Sequence, residues 1–291
     1  MRAAMFDIHP WSRDFRWVSG TACSHIGRER RAEFEERGFF VIEDFFTTDE
    51  IAAITRETDR CQEAVRRYLS RLPGGRLHSS EEGAITFAQH LVTKSAALRA
   101  LAKDPRLAGI AADLIGPDVN LHWDQAVYKM PDKPQLFPWH QDNGYSFVVP
   151  EQYLTVWMAL TDTEEESGCL WMAPGLHKQG VLWHEPLSPV WIQCFDDHPE
   201  KVPVPTRAGS LVVFSSLTPH KSGENRSGGT RKAYLVEYAP QGACLLVGNP
   251  HGDVPAKKAP LDNPSWRFPV LRDGKPVDQH STGPHVSAGL G

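Results

Sequence analysis

The chain has 291 residues, of which 41% are hydrophobic and 23% are charged, as in an ordinary globular protein. Its net charge of −5 and the lack of a basic cluster argue against nucleic acid or an anionic membrane as a partner. No apolar run reaches the roughly 18 residues of a membrane span, and the N-terminal segment MRAAMFDIHPWSRDFRW lacks the apolar stretch of a signal peptide, so we expect a cytoplasmic protein.

The first part of the chain carries helical patterns. Residues 1–27 have no regular periodicity and are expected to form an irregular N-terminal arm. Thr47 and Glu50 have the spacing of a capping box, in which a hydroxyl and a carboxylate cap the start of a helix. Residues 28–115 are therefore predicted to form a mainly helical cover, with helices over Arg28–Arg37, Asp49–Leu69, Ala96–Ala102 and Pro105–Ile115 and an extended segment over Phe39–Phe46.

The pattern changes after Gly116. Segments become short, rich in Val, Trp, Tyr and Leu, and separated by Pro and Gly, which is typical of an antiparallel sandwich or barrel. Residues 116–248 are predicted to form this core, and the Pro- and Gly-rich residues 249–291 are predicted to be irregular. We interpret the whole chain as one α+β, mainly β domain, in which the helices cover one face of a sheet.

Four histidines are followed two positions later by an acidic residue, a spacing that suits a metal-binding pair. With 13 His and 36 acidic residues in the chain, one or two such matches are expected by chance. Two pairs lie in turn-rich stretches that do not fix both side chains on one face, and one pair lies on a predicted strand and is expected to point away from the core. These three weaker candidates are His198/Glu200, His251/Asp253 and, on the strand, His122/Asp124.

The fourth pair, His140 and Asp142, follows a long loop at the end of a predicted strand, where a site can be both fixed and accessible. Downstream, His220 ends an apolar strand and Arg231 begins the next one. An intervening turn would place these two residues opposite each other across a hairpin. Two imidazoles and one carboxylate form the facial triad of non-haem iron(II) oxygenases. An α-keto acid co-substrate with a second carboxylate needs a planar cation, which Arg supplies.

Four longer segments of the chain surround these residues and occur in a characteristic order: GFFVIEDFFTTDEI, KMPDKPQLFPWHQD, LTVWMALTDTEEESGCLWMAPGLHK and AGSLVVFSSLTPHKSGENRSGGTRKAY. Together they resemble the phytanoyl-CoA dioxygenase family of Fe(II)/2-oxoglutarate-dependent oxygenases. The resemblance runs from about Phe34 to Pro240, most of the chain. It implies a double-stranded β-helix (jelly-roll, cupin-like) core with N-terminal helices packed on one sheet.

The resemblance also implies roles for individual residues. The expected iron(II) ligands are His140, Asp142 and His220. The expected 2-oxoglutarate site comprises Arg231, Ser222, Lys129, Phe137 and Trp157, and the expected substrate contacts are Trp139, Asn143 and Tyr145. Arg226 falls inside the turn after His220, so we expect it to be solvated rather than to bind the co-substrate.

The predicted activity is the oxidation, most simply the hydroxylation, of a C–H bond in a small apolar or ring-containing metabolite. Fe(II) would be the bound cofactor, 2-oxoglutarate and O₂ would be consumed as co-substrates, and succinate and CO₂ would be formed. Desaturation, epoxidation or ring rearrangement in natural-product biosynthesis would use the same residues. Asp142 argues against a halogenase, which needs that position vacant for chloride. A non-catalytic cupin-like binding protein and a zinc hydrolase remain as alternatives from other classes, and the oligomeric state is not predicted.

Overall fold

The computed structural model of the chain describes residues 6–20, 22–249, 252, 255, 257–261 and 263–277. This part contains five α-helices, α1 to α5, at Gly27–Arg37, Thr48–Leu69, Ala96–Leu101, Pro105–Ile115 and Asp142–Tyr145. Short 3₁₀ segments lie at Pro10–Ser12, Pro73–Gly75, Leu91–Thr93 and Leu176–Gln179. No helix in these ranges combines the length and the apolar character that a membrane span requires. The pair His251/Asp253 lies outside the described residues.

The two N-terminal helices are capped as the sequence predicts. Thr47 and Glu50 form a reciprocal capping box at the start of α2, since the Thr47 N–H donates to Glu50 Oε2 at 2.8 Å and the Glu50 N–H donates to Thr47 Oγ1 at 3.3 Å. Gly38 ends α1 with a φ of 85°, a left-handed conformation that costs glycine no steric penalty. Phe34 of α1 and Ile54 of α2 are buried in one apolar cluster with residues of the large sheet.

The strands of the described part, β1 to β19, are short apart from β5 and β15. Their bounds are Phe39–Ile42, Arg76–Leu77, Ser80–Glu81, Ile85–Gln89, Val119–Lys129, Phe137–His140, Val148–Val149, Leu154–Ala159, Leu170–Met172, Glu185–Pro186, Ile192–Gln193, Val202–Val204, Leu211–Ser215, His220–Ser222, Arg231–Pro240, Cys244–Val247, Lys257–Pro260, Pro269–Arg272 and Lys275–Pro276. An eight-stranded antiparallel sheet has the order β1-β13-β8-β15-β5-β18-β19, with β4 also paired to β5. A four-stranded sheet has the order β12-β9-β14-β6, and the other strands form two- and three-stranded sheets.

Both faces of the eight-stranded sheet are buried. On β8, Trp157 and Ala159 belong to an apolar cluster that also contains Leu170 and Met172 of the four-stranded sheet. The alternate residues of β8, such as Val156, belong to the cluster that contains the helices. Because successive strand residues point to opposite faces, an unbroken apolar strand can serve both layers. The chain is thus mainly β, with its helices on the outer face of a large antiparallel sheet, as predicted.

Strands from outside residues 116–248 complete the large sheet. β1 pairs with β13, and β4 pairs with β5 along Ile85–Gln89, which the sequence analysis did not identify as a strand. The prediction of an irregular tail after residue 249 is wrong for Pro269–Arg272, because β18 pairs with the start of β5. Buried Val270 and Leu271 pack in the same cluster as the helices, which explains why this short segment is held as a strand.

The predicted hairpin between His220 and Arg231 does not form. β14, which begins at His220, pairs with β6 and β9, whereas β15, which begins at Arg231, pairs with β5 and β8. The connection therefore passes from one sheet to the other. Asn225 fixes its path, because its buried amide donates to the carbonyl oxygens of Lys129 at 2.7 Å and Gly229 at 2.8 Å. His220 and Arg231 nevertheless line one cavity between the sheets.

Candidate metal centre

Three predicted ligands converge between the two sheets. His140 Nε2 lies 3.7 Å from Asp142 Oδ1, and His220 Nε2 lies 3.6 Å from the same oxygen. One potential ligand atom from each of the three side chains lies within 4.8 Å of the other two, so in the described part of the chain they form a group that could hold a metal ion. Metal bonds of about 2.1 Å at angles of about 90–120° separate ligand atoms by about 3–3.6 Å. The observed spacing therefore fits one shared ion.

The backbone places these ligands through two paired strand ends. His140 is the last residue of β6 and is paired with His220, the first residue of β14. Asp142 begins the short helix α5. Gln141, between the two ligands, is fully buried, and its amide donates to backbone carbonyls at 2.6 and 2.9 Å and accepts a backbone N–H at 2.7 Å. These bonds fix the turn that presents His140 and Asp142 to the same cavity.

Both imidazoles expose a lone pair to the centre. His140 Nδ1 lies 2.8 Å from the Pro138 carbonyl oxygen, and His220 Nδ1 lies 3.0 Å from the Thr218 carbonyl oxygen. A carbonyl oxygen can only accept, so each Nδ1 carries the proton and each Nε2 is the free donor to a metal. Burial lowers the pKa of His140 well below its ordinary value, and the neighbouring His220 ring adds to this effect. The neutral form that metal binding requires is therefore favoured at His140.

A threonine that the sequence analysis missed orients the carboxylate. Thr155 Oγ1 donates to Asp142 Oδ2 at 2.6 Å, which leaves Oδ1 directed at the two Nε2 atoms. Thr155 lies on β8 and is 1% exposed. A hydroxyl on the inward face of an otherwise apolar strand was the available signal, although by itself it does not identify a partner. Such outer contacts orient metal ligands and affect affinity.

Arg231 lies in a narrow cavity beside the three ligands, together with Trp157 and Ser222. The residue is 2% exposed, and its Nε and Nη1 are buried with no hydrogen-bond partner in the described part of the chain. The guanidinium carbon lies 5.6 Å from the centre of the Trp157 ring, a cation–π contact. Burial lowers the pKa of Arg231 to about 10. A buried cation with two unsatisfied donors fits a carboxylate ligand.

Lys129 does not reach into this cavity as an anion-binding group. Its ammonium contacts the Ser222 carbonyl oxygen at 3.1 Å, Ser222 Oγ at 3.0 Å and the Gly223 carbonyl oxygen. An ammonium has three N–H groups, so these contacts use all of its donors. The prediction that Lys129 contacts the co-substrate is therefore corrected: Lys129 holds Ser222 and Gly223 in place beside the cavity. Since Ser222 Oγ accepts from Lys129, the Ser222 hydroxyl hydrogen is left to donate into the cavity that it shares with Arg231.

A larger cavity of about 370 Å³ adjoins the narrow one, and both are lined by His140, Asp142 and Phe137. Tyr145, predicted to contact the substrate, lines the larger cavity. The other aromatic residues of its wall are Phe87, Trp123, Tyr153 and Trp191.

Two predicted substrate contacts lie outside both cavity linings. Trp139 is 1% exposed and packs in an apolar cluster with Leu176 and Leu182. Asn143 is fully buried, and its amide exchanges two hydrogen bonds with the Val148 backbone, at 2.7 and 3.2 Å. Both predictions were wrong because side chains beside a ligand in sequence alternate between the cavity and the protein interior.

The prediction that His122 and Asp124 share an outward face is also wrong. A bulge in β5 opposes Glu237 to Trp123 and the next residue of β15 to Leu121, so His122 is skipped in the pairing. His122 consequently lines the larger cavity. Asp124 faces the helices, where its carboxylate accepts hydrogen bonds from the Val92 N–H and the Tyr234 hydroxyl.

Glu237 is a second cavity residue that the sequence analysis missed. It is 8% exposed, and its Oε2 lies 3.8 Å from His122 Nε2. Burial raises the pKa of Glu237 well above its ordinary value, and the charge of Asp142 adds to this effect. The signal in the sequence was that Glu237, a charged residue, continues the every-second-residue series of Arg231, Ala233 and Leu235 on the inward face of β15.

Comparison with protein families agrees with this geometry. The model of the family described as phytanoyl-CoA dioxygenase (PhyH) matches residues 34–233, more than two thirds of the chain. The chain belongs to the phytanoyl-CoA dioxygenase family. The predicted resemblance is thereby confirmed, and with it the enzyme class of non-haem iron oxygenases that depend on 2-oxoglutarate.

Curated relatives of the family cover most of the chain. A probable phytanoyl-CoA dioxygenase of Caenorhabditis elegans is 29% identical over 248 residues, which are 77% of this chain and 78% of the relative. An ectoine dioxygenase of Bordetella parapertussis is 27% identical over 243 residues, which are 75% of this chain and 77% of the relative. These two relatives have different substrates in their names, so membership of the family does not define the substrate of this chain.

Solved structures share the fold. The non-haem α-ketoglutarate-dependent carbocyclase SnoK from nogalamycin biosynthesis matches with a TM-score of 0.65 and 24% identity over 87% of this chain and all of SnoK. The epimerase SnoN, solved with Fe³⁺, α-ketoglutarate and nogalamycin RO, matches with a TM-score of 0.62 and 21% identity over 82% of this chain and 97% of SnoN. At these identities the likeness establishes a common fold.

Proposed function

We propose that the chain is an Fe(II)/2-oxoglutarate-dependent oxygenase that hydroxylates a C–H bond of a small ring-containing molecule. The observation that carries this proposal is the position of Arg231. Its buried Nε and Nη1, which have no hydrogen-bond partner among the described residues, share a cavity with His140, Asp142 and His220. A metal-binding protein or a hydrolase needs no buried cation beside the ion. An oxygenase needs one to hold the far carboxylate of its co-substrate.

Each residue then has a defined task. His140, Asp142 and His220 would hold the iron through two Nε2 atoms and one carboxylate oxygen. Arg231 and the Ser222 hydroxyl would bind the distal carboxylate of 2-oxoglutarate, while Trp157 and Phe137 would wall the site and exclude water. Bound iron supplies the oxidative decarboxylation of 2-oxoglutarate to succinate and CO₂ and the oxidising power for the C–H bond. The two facing sheets would correspond to the jelly-roll of the predicted core.

The larger cavity supports a small substrate. Its volume of about 370 Å³ lies within the range of roughly 300–1,000 Å³ found for ligand pockets. Arg267 is the one Lys or Arg residue in its described lining, and we infer that a CoA thioester, with its several phosphates, is not the substrate. Desaturation, epoxidation or ring rearrangement would use the same residues. A cytoplasmic location stays a prediction.

The test is anaerobic reconstitution of the metal-free protein. Fe(II) and 2-oxoglutarate together should give a weak visible charge-transfer band, and admission of O₂ should release succinate. The same titration with Zn(II) should give neither signal. Succinate release from 2-oxoglutarate and O₂ by the Fe(II) form and not by the Zn(II) form supports the oxygenase. Hydrolysis of an ester panel by the Zn(II) form, without succinate from the Fe(II) form, would support the hydrolase instead.

A further inference from the structure

The sheet wall of the larger cavity carries three polar side chains. Gln89 of β4 and Gln125 of β5 are paired across the strands, and both line the cavity with Glu237 of β15. Gln89 is exposed and Gln125 is half-buried, so solvent can satisfy both amides. Glu237 is buried, and in the described part of the chain its carboxyl group makes no hydrogen bond to protein. Because buried polar groups of native proteins are almost always satisfied, this carboxyl group is a candidate to contact a polar group inside the cavity.

Glu237 is the most deeply placed of these groups. It is 8% exposed, and the His122 Nε2 atom lies 3.8 Å from its Oε2, too far for a hydrogen bond. His122 Nδ1 is also buried without a partner in the described part of the chain. A carboxyl group and an imidazole thus stand side by side with unused capacity. A bound molecule that offers a donor at this place would satisfy the carboxyl group.

The aromatic lining of the cavity indicates what the rest of that molecule is. The ring centres of Phe137 and Trp191 lie 4.6 Å apart, and those of Phe87 and Phe137 lie 5.9 Å apart. Phe137 of β6 and Trp191 lie outside the large sheet, whereas Phe87 lies on β4 of that sheet, two residues before Gln89; the three rings form one continuous apolar surface in the cavity. Such a surface suits a ring that packs on it, while one edge of that ring meets the polar wall.

We propose that Glu237 is the specificity-determining residue of this cavity and that it binds a hydroxyl group on a ring-containing substrate. The inference rests on the proposed oxygenase function and specifies the substrate class of the same site. A hydroxyl is favoured over an ammonium because Arg267 also lines the cavity and its positive charge acts on the Glu237 carboxylate. That charge would repel a cationic substrate. A hydroxyl can both donate to Glu237 and accept from the neighbouring Gln125 amide.

The experiment compares three matched probes on one scaffold: 4-phenylcyclohexanol, 4-phenylcyclohexylamine and phenylcyclohexane. Substrate-stimulated succinate release is measured with the Fe(II) holoenzyme and each probe. The wild type should prefer the alcohol over the hydrocarbon about tenfold or more in apparent kcat/KM, as expected for one hydrogen bond to a buried carboxyl group. Glu237→Leu should reduce this preference to less than about threefold.

Two further variants make the result specific. Glu237→Gln keeps hydrogen-bonding capacity and should retain most of the alcohol preference. Glu36→Leu, at an exposed glutamate of α1 outside both cavity linings, should show the wild-type ratio. Because each variant is scored by a ratio of probes, a partial loss of folded enzyme does not affect the comparison.

Three outcomes would overturn the inference while leaving the proposed function intact: preference for the amine, no stimulation by the alcohol in a wild type that turns over 2-oxoglutarate, or an unchanged ratio in Glu237→Leu. A wild type that releases no succinate under any condition would instead remove the proposed function, and the substrate inference with it.

Discussion

Replacing Arg231 with methionine should have opposite effects on co-substrate binding and on the stability of the metal-free protein. Binding of 2-oxoglutarate would place two charge-assisted hydrogen bonds on Nε and Nη1, each worth about 1.5–3 kcal/mol. Their loss amounts to about 3–6 kcal/mol, which corresponds to a rise of roughly 100- to 20,000-fold in the KM for 2-oxoglutarate.

The same substitution should stabilise the metal-free fold. Burial lowers the pKa of Arg231 from its ordinary value to about 10, so folding disfavours the charged form at every pH below about 10. At 1.36 kcal/mol per unit, this corresponds to at most about 3 kcal/mol of destabilisation at neutral pH. Methionine retains an apolar stem against Trp157. We therefore expect Arg231→Met to raise the melting temperature of the metal-free protein by a few degrees.

The assay combines succinate release as a function of 2-oxoglutarate concentration with thermal melts of the metal-free protein. Arg226→Met is the matched control, since Arg226 is 73% exposed and paired with Glu224, and it should leave both quantities close to wild type. A KM that stays within threefold of wild type in Arg231→Met would refute the assignment of Arg231 as the carboxylate anchor. A strong fall in melting temperature would show that the guanidinium is satisfied before the co-substrate binds.

Three further predictions concern the support of the site and the fold. Thr155→Val removes the hydrogen bond to Asp142, so Fe(II) affinity should fall about tenfold in an anaerobic titration, with kcat near wild type at saturating metal. Lys129→Met removes three hydrogen bonds to oxygens of Ser222 and Gly223, so the free energy of unfolding in urea should fall by about 2–4 kcal/mol. Burial raises the pKa of Glu151 to about 7, so the folded protein should lose up to about 3 kcal/mol of stability as the pH rises from about 4.5 to 7. Glu151→Gln should remove that loss, and equal differences in melting temperature between pH 5 and pH 8 in both proteins would contradict this.

The metal ligands could be predicted because their chemistry leaves few substitutes. A His-x-Asp turn, a distant His and an Arg eleven positions later form a pattern within four longer segments of a known family. The helices α1 and α2 were predictable for a similar reason, since Gly38 and the Thr47–Glu50 capping box act locally. In both cases the sequence contains the whole physical cause within a short segment.

The wrong predictions concern residues whose position depends on a partner far away in the sequence. A bulge in β5 turns His122 into the cavity, and no residue of that strand indicates which one the pairing will skip. Pro269–Arg272 becomes a strand because β5 offers it a free edge near residue 120. Lys129 could reach either a ligand or a backbone carbonyl, and only the path of the chain at Gly223 decides between them.

The strand order of the large sheet has a consequence for how the chain folds. β15 lies between β5 and β8, both of which are synthesised earlier. β1 pairs with β13, so Phe39 can pair with Phe214 only after the 174 residues between them have been made. Pairings so distant along the chain slow folding, and the early strands leave the ribosome with unprotected edges that favour aggregation. We expect expression to depend on low temperature or chaperones. Because β14 supplies His220, iron cannot nucleate folding from the N-terminal half and can bind all three ligands only after the chain has been made past residue 220.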